Sequence, residues 1–158
     1  VGEKSTGPHL IQLSSLENAY LFQVNPEILA FLKPILENEQ QLKVGFGLKN
    51  DASGFRRKGI HPNGLIDLAK CFSNFGYNTQ VGVQTAIALL FQRYFPKSKK
   101  ISTSNWSVKQ LSLQQINYAA ADAYAARIIY EYLYQHQSFT SPLQQQIERI
   151  LTGSQSKT

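Results

Sequence analysis

Sulfur is scarce in this chain: its 158 residues include one cysteine, Cys71, and no methionine. A single thiol closes no intrachain disulfide and offers no thiolate cluster for zinc, so a reducing compartment and a cytoplasmic setting are expected. Long apolar runs are missing too. No window of about 20 residues escapes charges or polar breaks, which leaves no candidate for a membrane-spanning helix. Val1 to Gly7 has neither a basic start nor an apolar stretch, so no signal peptide is expected there. The polar tail from Thr152 to Thr158 is expected to fray.

What is present is enough for one domain. A hydrophobic content of 42%, with nine Phe, eight Tyr and Trp106, supplies the apolar area that disordered chains lack. The net charge of +6 is unevenly placed. Between Ala52 and Lys109 the basic residues are Arg56, Arg57, Lys58, Lys70, Arg93, Lys97, Lys99, Lys100 and Lys109, against Asp67 as the one acid. Such a cationic middle third suits a phosphate backbone, where Lys and Arg release counterions on binding. It is equally what a solvated surface looks like, and charge alone does not separate the two.

The pattern alternates strands with helices, which points to an α/β domain. Leu10 to Leu13 and Ala19 to Val24 form a hairpin across Ser14 to Asn18. Pro26 opens a helix with Ile28, Leu29, Leu32, Ile35 and Leu36 at helical spacing, fading at Asn38. Leu42 to Gly47 is a third strand, followed by a helix from about Asp51 to Lys58 that Gly59 ends. Leu65 and Ile66 are extended and lead into a helix capped by Asp67. Val81 to Phe95 is a further helix, stopped by Pro96. Leu113 to about Gln137 is the longest periodic segment, and Pro142 to Leu151 makes a last helix with Leu143, Ile147 and Ile150 on one side.

The long helix opens on Ser112-Leu113-Gln114-Gln115, a capping box that sets its register. Tyr118 and Asp122 then fall on nearly the same face, about 6 Å apart along the axis. Alanines at 119, 120, 121, 123, 125 and 126 surround them, so a ligand or neighbouring element can approach closely. A carboxylate in an apolar helix is costly unless paired or metal-bound, which makes the pair a candidate metal-and-water site. The plainer alternative is an exposed Asp122 with Tyr118 merely packing. Asp51, at the exit of the Val44 to Gly47 strand, is the second candidate ligand, with helix capping as its ordinary role. For Asp67 capping is the preferred reading.

Taken together, Gly45-Phe46-Gly47-Leu48-Lys49-Asn50-Asp51, Ile66-Asp67-Leu68, Ser104-Asn105-Trp106, Leu111-Ser112 with Gln115, and Tyr118-Ala119-Ala120-Ala121-Asp122-Ala123-Tyr124 resemble the DEDDy 3′-5′ exonucleases. That group includes ribonuclease D and the exonuclease domain of the Werner syndrome helicase, and the likeness is greatest to bacterial stand-alone exonuclease domains. It covers roughly Val1 to Leu133. The resemblance implies a ribonuclease-H-like mixed sheet flanked by helices, occupying 1–137, with a short helix and tail over 138–158. It implies two Mg2+ or Mn2+ ions, Asp122 and Asp51 as ligands, Tyr118 orienting the attacking water, and hydrolysis from the 3′ end of a single-stranded DNA or RNA. Lys97, Lys99 and Lys100, on a loop near the entrance, would then grip phosphates.

One departure stands out. The family's Asp-x-Glu pair on a central first strand has no counterpart: no Asp-x-Glu occurs between Val1 and Thr158. The expectation is that the strand lies upstream, between the hairpin and the Leu42 strand in space, and that Val1 to Thr158 alone is poorly folded and inactive. A catalytically dead nucleic-acid-binding or protein-binding domain is the alternative, and an endonuclease of the ribonuclease-H-like group is a weaker third reading.

Overall fold

The computed structural model describes residues 9–153, so expectations that fall on 1–8 or 154–158 lie outside the described residues; of the tail expected to fray from Thr152, Thr152 ends a helix and Gly153 caps it. The hairpin forms as its alternation demands. Strand β1 (Leu10–Ser14) pairs antiparallel with β2 (Ala19–Gln23), Ile11 opposite Phe22, and the Ser15 hydroxyl accepts from the Glu17 and Asn18 amides in the turn. Helix α1 (Pro26–Glu37) starts where the Asn25 side chain accepts from the Ile28 amide at 2.8 Å and Pro26 takes the first turn. It buries Leu32 and Leu36 against Ile11 and Ile60.

Strand β3 (Lys43–Gly45) pairs parallel with β4 (Leu65–Asp67), Gly45 opposite Asp67. Helix α2 (Leu48–Arg57) begins three residues earlier than the sequence suggests. Its N-cap is Gly47 at φ +68, a left-handed conformation that a side chain would strain, and glycine has no oxygen with which to cap. Asp67 takes over from the neighbouring strand. Its Oδ1 accepts from Gly47 N at 2.9 Å and Ala69 N at 3.1 Å, and its Oδ2 accepts from Leu48 N at 3.2 Å. The capping role expected of Asp67 is thus present twice over, whereas Asp51 sits inside the first turn of α2 and caps nothing.

Three further expectations are corrected. The helix after Asp67 is only a 3₁₀ turn, Leu68–Lys70, followed by a second, Ser73–Phe75. Gly76, left-handed at φ +85, ends the run before an α-helix can propagate. Helix α3 spans Val83–Phe91 rather than Val81 to Phe95. Gln92 turns left-handed there, and the Gln84 amide reaches across to the Phe95 carbonyl at 3.0 Å, pinning the exit in an extended path toward Pro96. Lys99 and Lys100 lie not on a loop but in a single-turn helix, α4 (Lys99–Ser102), whose cap is the Ser98 hydroxyl.

Helix α5 (Leu113–Gln135) is the spine, packing against β1, β2, β3, α3 and α4. Helix α6 (Ser141–Thr152) buries Ile147 in the larger core, with Phe72, Leu68, Ile129 and Leu133. Helices and small sheets thus combine as an α/β chain. Among the described residues the β1–β2 and β3–β4 pairs share no strand pairing with each other. No described helix is long and apolar enough to cross a membrane.

The start of α5 is fixed by one buried amide. Gln115, 6% exposed, accepts from Ser112 N through Oε1 at 3.0 Å while its own backbone N–H donates to Ser112 Oγ. Its Nε2 donates to Ser104 Oγ at 3.1 Å and to the Asn105 carbonyl at 3.0 Å. Gln115→Glu preserves the capping box and turns both donors into acceptors facing acceptors, since Ser104 Oγ already donates to the Ile101 carbonyl. The variant is expected to lose about 1–3 kcal/mol in urea denaturation. A midpoint equal to wild type would show that the two donor bonds contribute nothing.

Candidate functional site

The 3.6-residue period of α5 stacks Tyr118 and Asp122 on one face, and a cation from outside the helix joins them. Lys97 Nζ lies 3.0 Å from Asp122 Oδ1 and 3.1 Å from Oδ2, and 5.5 Å above the centre of the Tyr118 ring. Trp106 also packs against Tyr118 with ring centroids 6.1 Å apart, its indole N–H held by the Ser102 carbonyl at 3.1 Å. Beside these rings opens a cleft of about 300 Å³ lined by His9, Leu10, Gln12, Ser102, Trp106, Tyr118 and Ala119. The strand alternation of β1 explains its wall: Leu10 and Gln12 share the face toward the cleft while Ile11 turns into the core.

The cost of a carboxylate among alanines is therefore met by an ion pair. The side chains of Lys97 and Asp122 are 27% and 22% exposed, so the pair is half-buried rather than a solvated surface contact. Of the three lysines expected at phosphates, Lys97 points its amine inward at Asp122, while Lys99 and Lys100 are exposed on α4.

Asp51 is brought close to Asp67 and not into the Lys97–Asp122 pair: among the described residues no hydrogen bond, ion pair or ring contact joins it to Tyr118, Asp122 or Lys97. Its side chain retains solvent contact, yet loss of solvation, and secondarily the Asp67 charge, raise its carboxyl above the ordinary value. The carboxylates on hand suit a divalent cation in kind. Both are hard oxygen donors, one under-compensated and the other already holding a cation. They fall short in number, since no cluster of three or more His, Cys, Asp or Glu that could hold a metal occurs among the described residues.

The sequence reading missed the Lys97–Asp122 pair and the part of β1 in the cleft. Twenty-five residues separate Lys97 from Asp122, so no local spacing signals the contact. The alternation of β1 was a usable signal for Leu10 and Gln12. A further long-range tie, Gln23 Nε2 to the Val108 carbonyl at 2.9 Å, fastens the hairpin to the loop before α5.

Residues 7–136 match a protein family described as 3′-5′ exonuclease. A ribonuclease D of Acidiphilium cryptum is 32% identical over 134 residues, covering 82% of this chain and 34% of that protein. The mouse bifunctional 3′-5′ exonuclease/ATP-dependent helicase WRN is 33% identical over 136 residues, covering 78% of this chain and 9% of that protein. The chain thus spans about a third or less of the length of these relatives. In fold it is similar to the crystal structure of Trypanosoma brucei RNase D in complex with RNA U12, at TM-score 0.73 and 18% identity, covering 95% of this chain and 58% of that one.

The raised carboxyl of Asp51 has a consequence for stability. A carboxyl whose folded pKa is raised contributes stability that is complete below its unfolded value and is lost as pH rises through the folded one. Ionised Asp51 therefore costs stability at neutral pH. With divalent ions chelated, Asp51→Asn is expected to melt higher than wild type at pH 7, the gain fading as pH falls toward the ordinary carboxylate range. A gain that persists or grows at acid pH would mean that the raised carboxyl is not its cause.

Proposed function

The chain belongs to the 3′-5′ exonuclease family, and from that premise we propose that it removes nucleotides from the 3′ end of a single-stranded nucleic acid by divalent-metal-assisted hydrolysis. The observation that carries this reading is Tyr118 on the wall of a cleft beside Trp106, with Lys97 joining its ring to Asp122 one helical turn on. Asp122 and Asp51, too few by themselves to hold an ion, would be two of the oxygen ligands for Mg2+ or Mn2+. Such ions, as a pair, lower the pKa of a bound water and neutralise charge on the attacking and leaving oxygens.

The chain's own groups do the positioning. Tyr118 lines the cleft, and in this reading its hydroxyl would orient the attacking water. Trp106 and Tyr118 offer ring faces on which an unpaired base stacks, a contact tolerant of sequence. Lys99 and Lys100, exposed at the end of the lysine-rich segment, supply phosphate contacts. The Asp-x-Glu pair used by the family is not in this sequence, so Val1 to Thr158 taken alone is expected to be inactive. That absence, with Lys97 seated on Asp122, favours one second reading: an exonuclease-like domain that binds nucleic acid without cleaving it.

The test is an assay with 3′-labelled and 5′-labelled oligonucleotides of DNA and RNA, with Mg2+ or Mn2+, on the full-length protein. Loss of the 3′ label first, abolished in Asp122→Ala, is the expected result. Tyr118→Phe keeps the ring and removes the hydroxyl, and should slow turnover by about 10- to 1000-fold without losing substrate binding. Full activity in Asp122→Ala would overturn the ligand assignment. Strand binding with no hydrolysis in the wild type would establish the second reading.

A further inference from the structure

The cleft beside Tyr118 has walls that are tied to each other. Trp106 lies between two anchored backbone carbonyls: that of Asn105, held by Gln115 Nε2 at 3.0 Å, and that of Val108, held by Gln23 Nε2 at 2.9 Å. Gln23 stands opposite Leu10 in the hairpin, so the second tie fastens the Trp106 loop to the strand pair that forms the other wall. The indole is fixed in turn by its N–H on the Ser102 carbonyl. A cleft held in this way needs little ordering when a ligand enters, which favours binding.

The lining combines ring faces with an unengaged amide. Ser102 Oγ donates to the Lys99 carbonyl at 3.1 Å and the Trp106 N–H is taken, whereas the exposed Gln12 side chain makes no hydrogen bond among the described residues. The Gln12 backbone is fixed by its pairing with Leu21 inside the hairpin. Leu10 and Ala119 add apolar surface, and the volume of about 300 Å³ is at the small end for ligand sites. Flat rings, a little aliphatic surface and an amide match an unpaired nucleobase, whose face stacks and whose polar edge bonds. A carboxamide can turn its N–H and C=O toward the adjacent donor and acceptor that every base carries on its pairing edge.

We propose that the cleft holds one unpaired base of the strand, stacked on the Trp106 and Tyr118 rings, and that the Gln12 amide bonds the pairing edge of that base. This rests on the reading of the chain as a binder of single-stranded nucleic acid, and it adds the residue that governs which base is accepted. Because the amide can be flipped to suit each base, Gln12 gives all four a hold and favours none. A carboxylate in its place only accepts, and guanine alone presents it with donors on two neighbouring atoms, the ring N–H and the amino group.

The probes are labelled trinucleotides, ribo and deoxyribo, each of a single base, with an abasic trimer of each sugar as control. Binding to the full-length protein is read by fluorescence anisotropy with divalent ions chelated, so that nothing is cleaved. Wild type is expected to bind the base-bearing trimers with similar affinity and the abasic ones at least about fivefold more weakly, the scale of losing a stacked base. Gln12→Leu should weaken the base-bearing trimers by about 2- to 10-fold and leave the abasic ones unchanged, a split that a merely structural role would not produce. Gln12→Glu should favour guanine over the other bases by at least about fivefold. Thermal melts identify a misfolded variant, and either variant decides without the other. If Gln12→Leu binds every trimer as wild type does or weakens abasic and base-bearing trimers alike, if Gln12→Glu shows no guanine preference, or if wild type already prefers one base, Gln12 does not hold the base edge and the proposal falls while strand binding stands. A loss in Gln12→Leu confined to the ribo series would put the amide on the 2′-hydroxyl and also overturn the base contact. If wild type binds no trimer, or binds the abasic ones as well as the rest, the stacking reading itself fails and takes this proposal with it.

Discussion

The buried amide of Gln115 is the constraint on which the candidate site depends. A glutamine in that position is costly unless both ends are satisfied, and here its Oε1 completes the Ser112 capping box while its Nε2 holds Ser104 and the Asn105 carbonyl. One side chain thus sets where α5 begins and where the preceding loop lies against it. Because the register of α5 is set at Ser112, Tyr118 and Asp122 face a defined direction. Because the loop is tied at 104 and 105, Trp106 meets the Tyr118 ring. The cap is ordinary helix chemistry, and the site geometry follows from its second pair of bonds.

What was legible in the sequence is what local chemistry determines. The hairpin, the helix opening at Pro26, the Ser112 cap, the length of α5 and the apolar side of α6 all follow from spacing within a few residues. The overrun of α3 shows where that logic ends. Val81 to Phe95 is apolar enough to continue as a helix, and it stops at Gln92 because Gln84 and Pro96 hold the exit extended. Asp67 shows the same limit from the other direction. Its capping role could be read locally for Leu68–Lys70, but its bonds to Gly47 and Leu48 exist only because β3 and β4 lie side by side. Gly47 has no side chain to cap α2, and the acceptor arrives from 20 residues away.

Charge counting had a comparable limit. The cationic middle third suggested a surface for phosphate, and Lys97, Lys99 and Lys100 are adjacent enough in sequence to seem equivalent. The fold separates them: two extend into solvent from a single helical turn, and one turns inward to a half-buried carboxylate. A run of lysines is therefore not one electrostatic object. Its members differ by whether a desolvated partner exists within reach, and that depends on packing.

The choice of Lys97 as the partner of Asp122 follows from the demands on α5 itself. Five other elements crowd this helix, and close approach is possible because Ala119, Ala125 and Ala126 present almost no side chain where they are buried. A helix built that way cannot also supply bulky polar partners along the same face, so compensation for Asp122 has to come from another segment. The extended stretch after α3 is suited to it, since a backbone leaving the helix at Gln92 and pinned at Phe95 delivers a long, flexible, charged side chain back to α5. Early termination of α3, the inward lysine and the tolerance of a carboxylate among alanines thus go together: the half-buried Asp122 of a tightly packed helix is compensated by a cation delivered from another segment.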